Sequence, residues 1–245
     1  MARLQRVGIL GGTFNPVHNG HLRLAVEAGE ALELSRVLLT PCASPPHKTA
    51  NGLLPFELRV ALLREAVRGI PMLEVSTLEG ELEGPSYTWE SLAERHRRAG
   101  TCADPESSLP EEETRPFFMM GAESFSALHT WRRGLQLPKL AHLVMVPRGG
   151  EDLDVFHSSI RRYWPGSLPE SGSADVNQFC RETVQLAGDL AGGGSCTFLP
   201  VPRLDISSSF IRERWRAGRS LAGLVPVSVL EMMDRERAVL EEMWN

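Results

Sequence analysis

The chain has 245 residues, a formal net charge of -5, 42% hydrophobic residues and 23% charged residues. This composition is ordinary for a folded protein and excludes a largely disordered chain. Because the net charge is negative, the chain has no overall positive field, and we expect no nucleic-acid partner. The sequence contains no run of 18 apolar residues, so we predict no membrane-spanning helix. We expect a cytoplasmic enzyme that folds as one domain over residues 1–245.

The first elements of the chain follow a strand, loop, helix, strand pattern. Val7 to Leu10 is a short apolar run that stops at two glycines, and apolar residues at helical spacing begin after Asn19. A second apolar run, Arg36 to Thr40, ends before Pro41. Two buried strands joined through a helix form a parallel βαβ unit.

The alternation continues along the chain and predicts the fold class. Further strand-like runs lie at 117–120, 142–146 and 196–201, and helical stretches lie around 56–69, 86–99 and 124–137. This order predicts an α/β fold with a doubly wound, mainly parallel, Rossmann-like sheet and helices on both faces. In such sheets ligands bind beyond the carboxyl ends of the strands. We therefore expect the site in the loops after Leu10, Thr40, Met120 and Val146.

Two stretches interrupt this alternation. Residues 101–115 are rich in acidic residues and contain two prolines, and residues 149–195 contain several glycine-rich turns. We interpret both as surface insertions into the single domain. The second one predicts either a helix over 176–190 or a loop without regular structure.

The cysteines indicate free thiols. Cys42, Cys102, Cys180 and Cys196 lie far apart, with no C-x-x-C pair. This spacing argues against a zinc site and against a disulfide framework, so we expect no metal held by the protein itself. Cys42 follows a predicted strand, and we interpret it as a buried bystander rather than a reactive group.

The eleven residues after the first strand combine glycines, a turn proline and two histidines: Gly11-Gly12-Thr13-Phe14-Asn15-Pro16-Val17-His18-Asn19-Gly20-His21. If a helix begins near Asn19, His21 lies in its first turn and His18 just before it. Both imidazoles then face the positive end of the helix, where an anion binds. The glycines let the backbone approach a ligand, and successive amides can form a row of donors for phosphate.

A second cluster follows the last predicted strand: Ile206-Ser207-Ser208-Ser209-Phe210-Ile211-Arg212. Hydroxyl side chains at this place favour a helix N-cap at Ser207 or Ser208. The remaining amides and hydroxyls can hold a second phosphate group, with Arg212 one turn later as a fork-shaped donor. Each cluster alone is compatible with an ordinary structural role. Their joint position between a strand and a helix favours a function.

These two motifs resemble the G-G-T-F-D-P-x-H-x-G-H and I-S-S-T-x-I-R signatures of the nucleotidyltransferase superfamily. Further segments resemble bacterial nicotinate mononucleotide adenylyltransferases in order and approximate spacing: Pro45-Pro46-His47-Lys48, Ser86-Tyr87-Thr88, the run from Phe117 to Trp131, and Leu224-Val225-Pro226. The resemblance covers residues 5–148 and 197–232.

The resemblance implies a reaction and its site residues. It implies in-line attack by the phosphate of nicotinate mononucleotide on the α-phosphate of ATP, which releases pyrophosphate and forms deamido-NAD, with Mg²⁺ carried on the ATP phosphates. His18 and His21 match the catalytic donors. The residues that match ATP-binding positions are Gly11, Gly12, Thr13, Phe14, Ser208, Ser209 and Arg212. The residues that match the acceptor side are Lys48, Thr88, Glu123 and Trp131.

Two residues depart from the family pattern. Asn15 stands where the pattern usually has Asp, which keeps a turn-forming side chain but removes a charge. Glu123 stands where the family normally carries Asp in a contact with the mononucleotide, and its extra methylene moves the carboxylate by about an ångström. Trp131 is compatible both with stacking on the pyridine ring and with packing a helix against the sheet.

Three alternatives stay open from the sequence. The first is a nicotinamide mononucleotide adenylyltransferase and the second a phosphopantetheine adenylyltransferase, since both use a related histidine motif. The third, from another class, is a nucleotide-binding regulator without turnover. The sequence does not fix the assembly state and is compatible with a homo-oligomer.

Overall fold

The computed structural model describes residues 6–45, 52–105, 107–147, 152–169, 181–202 and 204–244. Its helices and strands follow the chain in this order: β1 Val7–Gly12, α1 Asn19–Ala31, β2 Arg36–Pro41, α2 Phe56–Val67, β3 Leu73–Val75, α3 Thr88–Ala99, β4 Phe117–Gly121, α4 Ala122–Ser126, β5 His142–Val146, α5 Asp152–Tyr163, β6 Leu168–Pro169, β7 Glu182–Gln185, β8 Ser195–Phe198, α6 Ser208–Arg216, α7 Val227–Arg235 and α8 Arg237–Trp244. Short 3₁₀ helices lie at Leu78–Glu81, Glu112–Thr114, Leu128–Thr130 and Gly134–Lys139.

The described strands form one mainly parallel sheet in the order β3-β2-β1-β4-β5-β8-β7-β6. The pairs β2/β3, β1/β4, β4/β5 and β5/β8 are parallel. In the described part of the sheet, the pairs β6/β7 and β7/β8 are antiparallel. The predicted α/β fold with a mainly parallel, helix-flanked sheet is confirmed. None of the described helices is long and apolar enough to span a membrane.

The chain divides into two compact units, and the first comprises Met1–Leu10, Glu33–Ser35 and Tyr87–Val201. Its core is a cluster of buried side chains contributed by β4, β5, β8, α4 and α5. Phe125 stacks on Phe156 with ring centroids 5.8 Å apart, and Phe156 contacts Phe198 at 5.7 Å. Full burial of such aromatic side chains makes this cluster a large source of stability in the unit.

The second unit comprises Gly11–Leu32, Arg36–Ser86 and Pro202–Asn245. Within it, α2 packs against β2, β3 and α7 through an apolar stripe that includes Leu62, Leu63 and Ala66. The Ser228 hydroxyl at the start of α7 donates to the Glu65 carbonyl (3.0 Å), which fixes the two helices to each other. Both sequence motifs, residues 11–21 and 206–212, belong to this unit.

The interpretation of residues 149–195 as a surface insertion is wrong for α5, the helix near the start of this stretch. Helix α5 contributes Phe156 and Ile160 to the core of the first unit, and Trp164 directly after it is 1% exposed. The predicted helix over 176–190 is also wrong for the described residues of this range, because Glu182–Gln185 forms β7. Residues 176–180 lie outside the described residues. The boundaries of a single domain with insertions near 101–115 and 149–195 stay a prediction.

Candidate active site

The loop that follows β1 is held through its carbonyl groups. The carbonyl of Gly12 accepts a hydrogen bond from the Cys42 N–H (2.8 Å), and the carbonyl of Thr13 accepts one from the Arg59 guanidinium (2.9 Å). In a trans peptide, the carbonyl of one residue and the N–H of the next point in opposite directions. These two bonds therefore direct the Thr13 and Phe14 amides toward the opposite side of the loop.

Asn15 joins this loop to the segment before α2. Its side-chain oxygen accepts from the Leu54 N–H (3.1 Å), and its side-chain nitrogen donates to the Gly52 carbonyl (2.6 Å). The side chain is 6% exposed. Both halves of the amide are therefore used, one as an acceptor and the other as a donor.

Phe14 is a buried spacer between the end of β1 and the histidines. The residue is 1% exposed and has a positive φ of 49°. Its ring lies so close to Gly12 that a Cβ there would come within 3.1 Å of it. On its other side the ring meets His21 edge to face, with centroids 4.8 Å apart. A side chain at residue 12 would displace this ring, which explains the glycine.

The two histidines lie side by side at the start of α1, as the sequence predicts. His18 is the N-cap residue and His21 lies in the first turn. Their rings stack with centroids 3.6 Å apart and planes inclined by 23°. The His18 N–H donates to Nδ1 of His21 (3.3 Å). In the neutral ring of His21 the proton therefore resides on Nε2, which makes that nitrogen a hydrogen-bond donor.

Gly20 makes room for this arrangement. A Cβ at Gly20 would lie 3.0 Å from Nδ1 and 3.2 Å from Cε1 of His18. Such a contact is tighter than ordinary van der Waals packing, so the His18 ring would have to shift by a few tenths of an ångström. The glycine between the two histidines therefore lets the buried His18 ring pack against the first turn of α1.

Helix α6 is held against the backbone of the first motif by its own first turn. Ser207 is the N-cap, and its hydroxyl accepts from the Phe210 N–H (3.1 Å). The Ser208 hydroxyl donates to the Pro16 carbonyl (2.9 Å). The predicted N-cap is confirmed at Ser207. Ser208 uses its proton within the protein, and Ser209 is exposed.

Arg212 completes the link between the two motifs. Its guanidinium donates to the Asn15 carbonyl (2.8 Å) and to the Ser209 hydroxyl (3.2 Å). Desolvation lowers the pKa of Arg212, and the neighbouring charge of Arg216 lowers it further. Arginine nevertheless stays protonated at neutral pH, so a half-buried cation lies beside the loop.

The segment 221–226, which precedes α7, fixes the start of α1. The Asn19 N–H donates to the Leu224 carbonyl (2.9 Å), and the Asn19 side chain donates to the Gly223 carbonyl (2.8 Å). The first N–H groups of a helix have no partner inside the helix. One of them is satisfied here by a distant segment, which orients the turn that carries His21.

The candidate acceptor residues Thr88 and Trp131 lie in two segments of the first unit that Arg132 links. Thr88 is the first residue of α3. The Arg132 guanidinium pairs with Glu90 (2.7 Å) and lies over the Tyr87 ring at 5.1 Å, which brings the segment of Trp131 to the start of α3. Trp131 itself is half-buried and packs against the core. The structure thus shows the packing interpretation, and stacking on the pyridine ring stays a prediction.

The other acceptor candidates occupy different positions. Glu123 lies in the first turn of α4, directly beyond the carboxyl end of β4, and it is exposed. Lys48 lies outside the described residues.

The Cys42 thiol is unsuited to nucleophilic chemistry. Burial raises its pKa to about 11, and the negative charge of Glu79 acts in the same direction. Thiolates, not thiols, react as nucleophiles. Cys42, Cys102 and Cys196 are all free cysteines, which confirms the predicted free thiols at these positions. Cys180 lies outside the described residues.

Comparison with known proteins identifies the family of the chain. A family model described as cytidylyltransferase-like matches residues 9–214, a span that includes both motifs. The chain belongs to this family. Two curated proteins that are similar to this chain are both named probable nicotinate-nucleotide adenylyltransferase. The one from Geotalea daltonii is 35% identical and covers 95% of this chain and 97% of its own. The one from Maridesulfovibrio salexigens is 34% identical and covers 98% and 100%.

Two solved structures share the fold of this chain. A Plasmodium falciparum nicotinic acid mononucleotide adenylyltransferase complexed with NaAD superposes with a TM-score of 0.66 at 12% identity, covering 96% of this chain and 97% of its own. A putative nicotinate-nucleotide adenylyltransferase from Vibrio parahaemolyticus gives a TM-score of 0.57 at 16% identity, covering 98% of each chain.

The structure explains one departure of the cytidylyltransferase-like chain from the usual motif. The side-chain nitrogen of Asn15 donates to the Gly52 carbonyl, and an ionised aspartate has no proton to donate. Asn15 therefore suits the local backbone of this chain. Nothing in the structure explains Glu123.

Sequence reasoning missed one residue of the site, Arg59. The residue occupies a position on the apolar stripe of α2, three residues before Leu62 and four before Leu63. The sequence feature that points to Arg59 is a charged side chain at a core position of a helix, because arginine is almost never fully buried unless it is paired.

Proposed function

We propose that this cytidylyltransferase-like protein transfers the AMP unit of ATP to nicotinate mononucleotide and releases deamido-NAD and pyrophosphate. The observation that carries the proposal is the stacked pair His18 and His21 at the start of α1, with Nε2 of His21 set as a donor. The names of the curated relatives, which match almost the whole chain at about 35% identity, support the same reaction. A cytoplasmic location belongs to this proposal.

The chemistry requires positioning and charge stabilisation rather than a covalent intermediate. A phosphate oxygen of the mononucleotide attacks the α-phosphorus, and the bond from that phosphorus to the bridging oxygen of the β-phosphate breaks in line. Negative charge on the α-phosphate oxygens must be stabilised in the transition state. His18 and His21 supply the donors, and the positive end of α1 adds to the same field.

Two further groups of donors serve the triphosphate. The Thr13 and Phe14 amides point away from the carbonyls that Cys42 and Arg59 hold, and in this proposal they donate to the phosphates of ATP. Ser209 accepts from Arg212 and keeps its own proton to donate. We assign Ser209 and Arg212 to the β- and γ-phosphates. Ser208 positions the helix through Pro16 and reaches a phosphate only if its hydroxyl rotates.

Mg²⁺ enters this proposal as a companion of ATP. The described residues include no group of three or more His, Cys, Asp or Glu side chains that could hold a metal ion. The groups around the first motif are mostly hydrogen-bond donors, which suit phosphates whose other oxygens bind the metal. The ion supplies neutralisation of phosphate charge, and the protein positions the phosphates.

The acceptor side rests on Thr88 and Trp131. The contacts of Arg132 with Glu90 and Tyr87 bring the segment of the half-buried Trp131 to the start of α3, where Thr88 is the first residue. An indole face suits a pyridine ring, and a helix N-terminus suits a carboxylate. Glu123 and Lys48 remain candidates for contacts with the mononucleotide.

Pyrophosphate release from Mg-ATP tests the proposal, with nicotinate mononucleotide, nicotinamide mononucleotide and phosphopantetheine as parallel acceptors. We expect a large preference in kcat/KM for the nicotinate form. A preference for either other acceptor would keep adenylyl transfer and replace the substrate. If the protein binds ATP but releases no pyrophosphate with any of the three acceptors, the result would contradict an enzymatic role and favour the nucleotide-binding regulator.

A further inference from the structure

Arg59 is a buried cation whose hydrogen bonds all go to backbone carbonyls. The residue is 1% exposed on the apolar stripe of α2. Its Nε donates to Leu54 (3.0 Å), Nη1 donates to both Thr13 (2.9 Å) and Cys42 (2.7 Å), and Nη2 donates to Ala43 (3.4 Å). One guanidinium thus joins the loop after β1, the end of β2 and the segment before α2.

Burying an arginine at a core position costs desolvation free energy. Desolvation lowers the pKa of Arg59, which expresses the cost of burying its charge, while the nearby Glu79 acts in the opposite direction. An apolar side chain of similar size would avoid this cost. Carbonyls of three separate segments compensate for it here, so the side chain determines how those segments are arranged.

The bond to Thr13 has a direct consequence for the loop. Because a trans peptide is planar, fixing the Thr13 carbonyl also fixes the direction of the Phe14 N–H. The same Nη1 that holds Thr13 also holds Cys42, and the Cys42 N–H holds the Gly12 carbonyl. Arg59 therefore fixes the direction of the Phe14 amide, and the Cys42 N–H fixes that of the preceding Thr13 amide through the Gly12 carbonyl.

We propose that Arg59 is a positioning residue for the nucleotide, because it holds the Thr13 carbonyl and so directs the Phe14 amide at the phosphates of ATP. This inference rests on the proposed function only in taking ATP as the ligand of the loop. Arg59 touches no phosphate itself. Its contribution is to the geometry of the donors, so a lysine in its place keeps the charge but not the arrangement.

Arg115 provides a matched control in the first unit. It is 7% exposed, and its guanidinium also donates to backbone carbonyls, namely those of Pro110, Pro138 and Gly192. None of these belongs to either motif. Arg115→Lys therefore disturbs a buried arginine of the same kind without acting on the loop.

The experiment compares Arg59→Lys, Arg59→Gln and Arg115→Lys with the wild type. The dissociation constant of α,β-methylene-ATP with Mg²⁺ is measured by calorimetry, and kcat and KM are measured by pyrophosphate release. We expect the Arg59 variants to weaken analogue binding by roughly 10- to 100-fold, the scale for misplaced positioning groups. We expect Arg115→Lys to bind the analogue as the wild type does, even where its melting temperature falls.

Two outcomes would overturn the inference. One is an equal change in analogue binding for Arg59→Lys and Arg115→Lys, or no change for either. The other is failure of both Arg59 variants to fold while Arg115→Lys folds, which would make Arg59 a residue of the core alone. Wild-type protein that binds the analogue but releases no pyrophosphate contradicts the proposed function and leaves the comparison of binding constants valid.

Discussion

The His18 and His21 rings lie stacked at 3.6 Å, and the backbone N–H of His18 donates to Nδ1 of His21. The contact does two things at once. It holds both imidazoles at the positive end of α1, and it leaves the Nε2 proton of His21 as a donor. The orientation of His21 is thus set by the residue with which it shares the site.

This tautomer leads to a graded prediction at His21. His21→Ala should lower kcat by roughly 10² to 10³, the scale for losing one transition-state donor. His21→Gln should retain more activity than His21→Asn. The side-chain amide nitrogen of glutamine can occupy the position of Nε2, whereas that of asparagine occupies the position of Nδ1. Steady-state kinetics on the three variants check the order, with melting temperatures as the control. Equal activity of Gln and Asn would contradict the assigned donor.

Gly20→Ala should separate activity from stability. Alanine favours a helix over glycine by about 1 kcal/mol, so the helix itself gains. The new Cβ would lie 3.0 Å from Nδ1 of His18 and displace that ring. We expect kcat to fall about tenfold while the melting temperature changes little, since small displacements in a positioned site are costly. Unaltered kcat would mean that the His18 ring is not needed in its present place.

Asn15→Asp restores the residue usual in the motif and should nevertheless destabilise this chain. The substitution removes the donor to the Gly52 carbonyl and keeps the acceptor for Leu54. Loss of one such bond costs about 1 kcal/mol, or about 2–4 °C in melting temperature for a chain of this size. Asn15→Ala, which removes both bonds, should fall further. A melting temperature above that of the wild type for Asn15→Asp would refute this account of the departure.

The rate of alkylation of Cys42 should rise with pH only at high pH, because the pKa of its thiol is raised. Burial and Glu79 raise the pKa of this thiol to about 11, so the neutral form persists through pH 8, where the thiolate fraction is about 10⁻³. Modification by iodoacetamide, followed at the Cys42 peptide by mass spectrometry, should therefore rise about tenfold per pH unit well above pH 9. A plateau near the ordinary pKa of a thiol would show that the side chain is not shielded as described.

Trp131→Ala should raise KM for nicotinate mononucleotide by at least about tenfold, the scale for removing an aromatic stacking partner, and leave KM for ATP unchanged. Trp131→Phe keeps a ring face and should be intermediate. A parallel rise in both KM values would mean that the indole supports the fold rather than the acceptor.

The parts of the fold that the sequence predicts are those with local signals. Apolar runs between turn residues predict β1, β2, β4, β5 and β8, and the histidine and serine motifs predict the starts of α1 and α6. The sequence places helix α5 within an insertion, because its residues lie among glycine-rich turns. Strand β7 is short and pairs antiparallel at the edge of the sheet, where long-range pairing rather than local pattern decides the structure.

The candidate site divides in the same way. His18, Ser207 and Gly20 occupy positions that a motif and capping rules anticipate. The role of Arg59 depends on carbonyls of Thr13, Cys42 and Leu54, and a backbone carbonyl leaves no trace in side-chain identity. Only the folded arrangement of three segments brings these acceptors to one guanidinium.

Isotope labelling of ATP tests most directly whether the AMP unit moves from ATP to nicotinate mononucleotide. Parallel reactions would use ATP labelled with ³²P at the α- or the γ-phosphate, with the products separated by chromatography. We predict that the α-label appears in deamido-NAD in step with pyrophosphate, which carries the γ-label. An α-label that stays in AMP or ADP, with no labelled dinucleotide, would contradict the account.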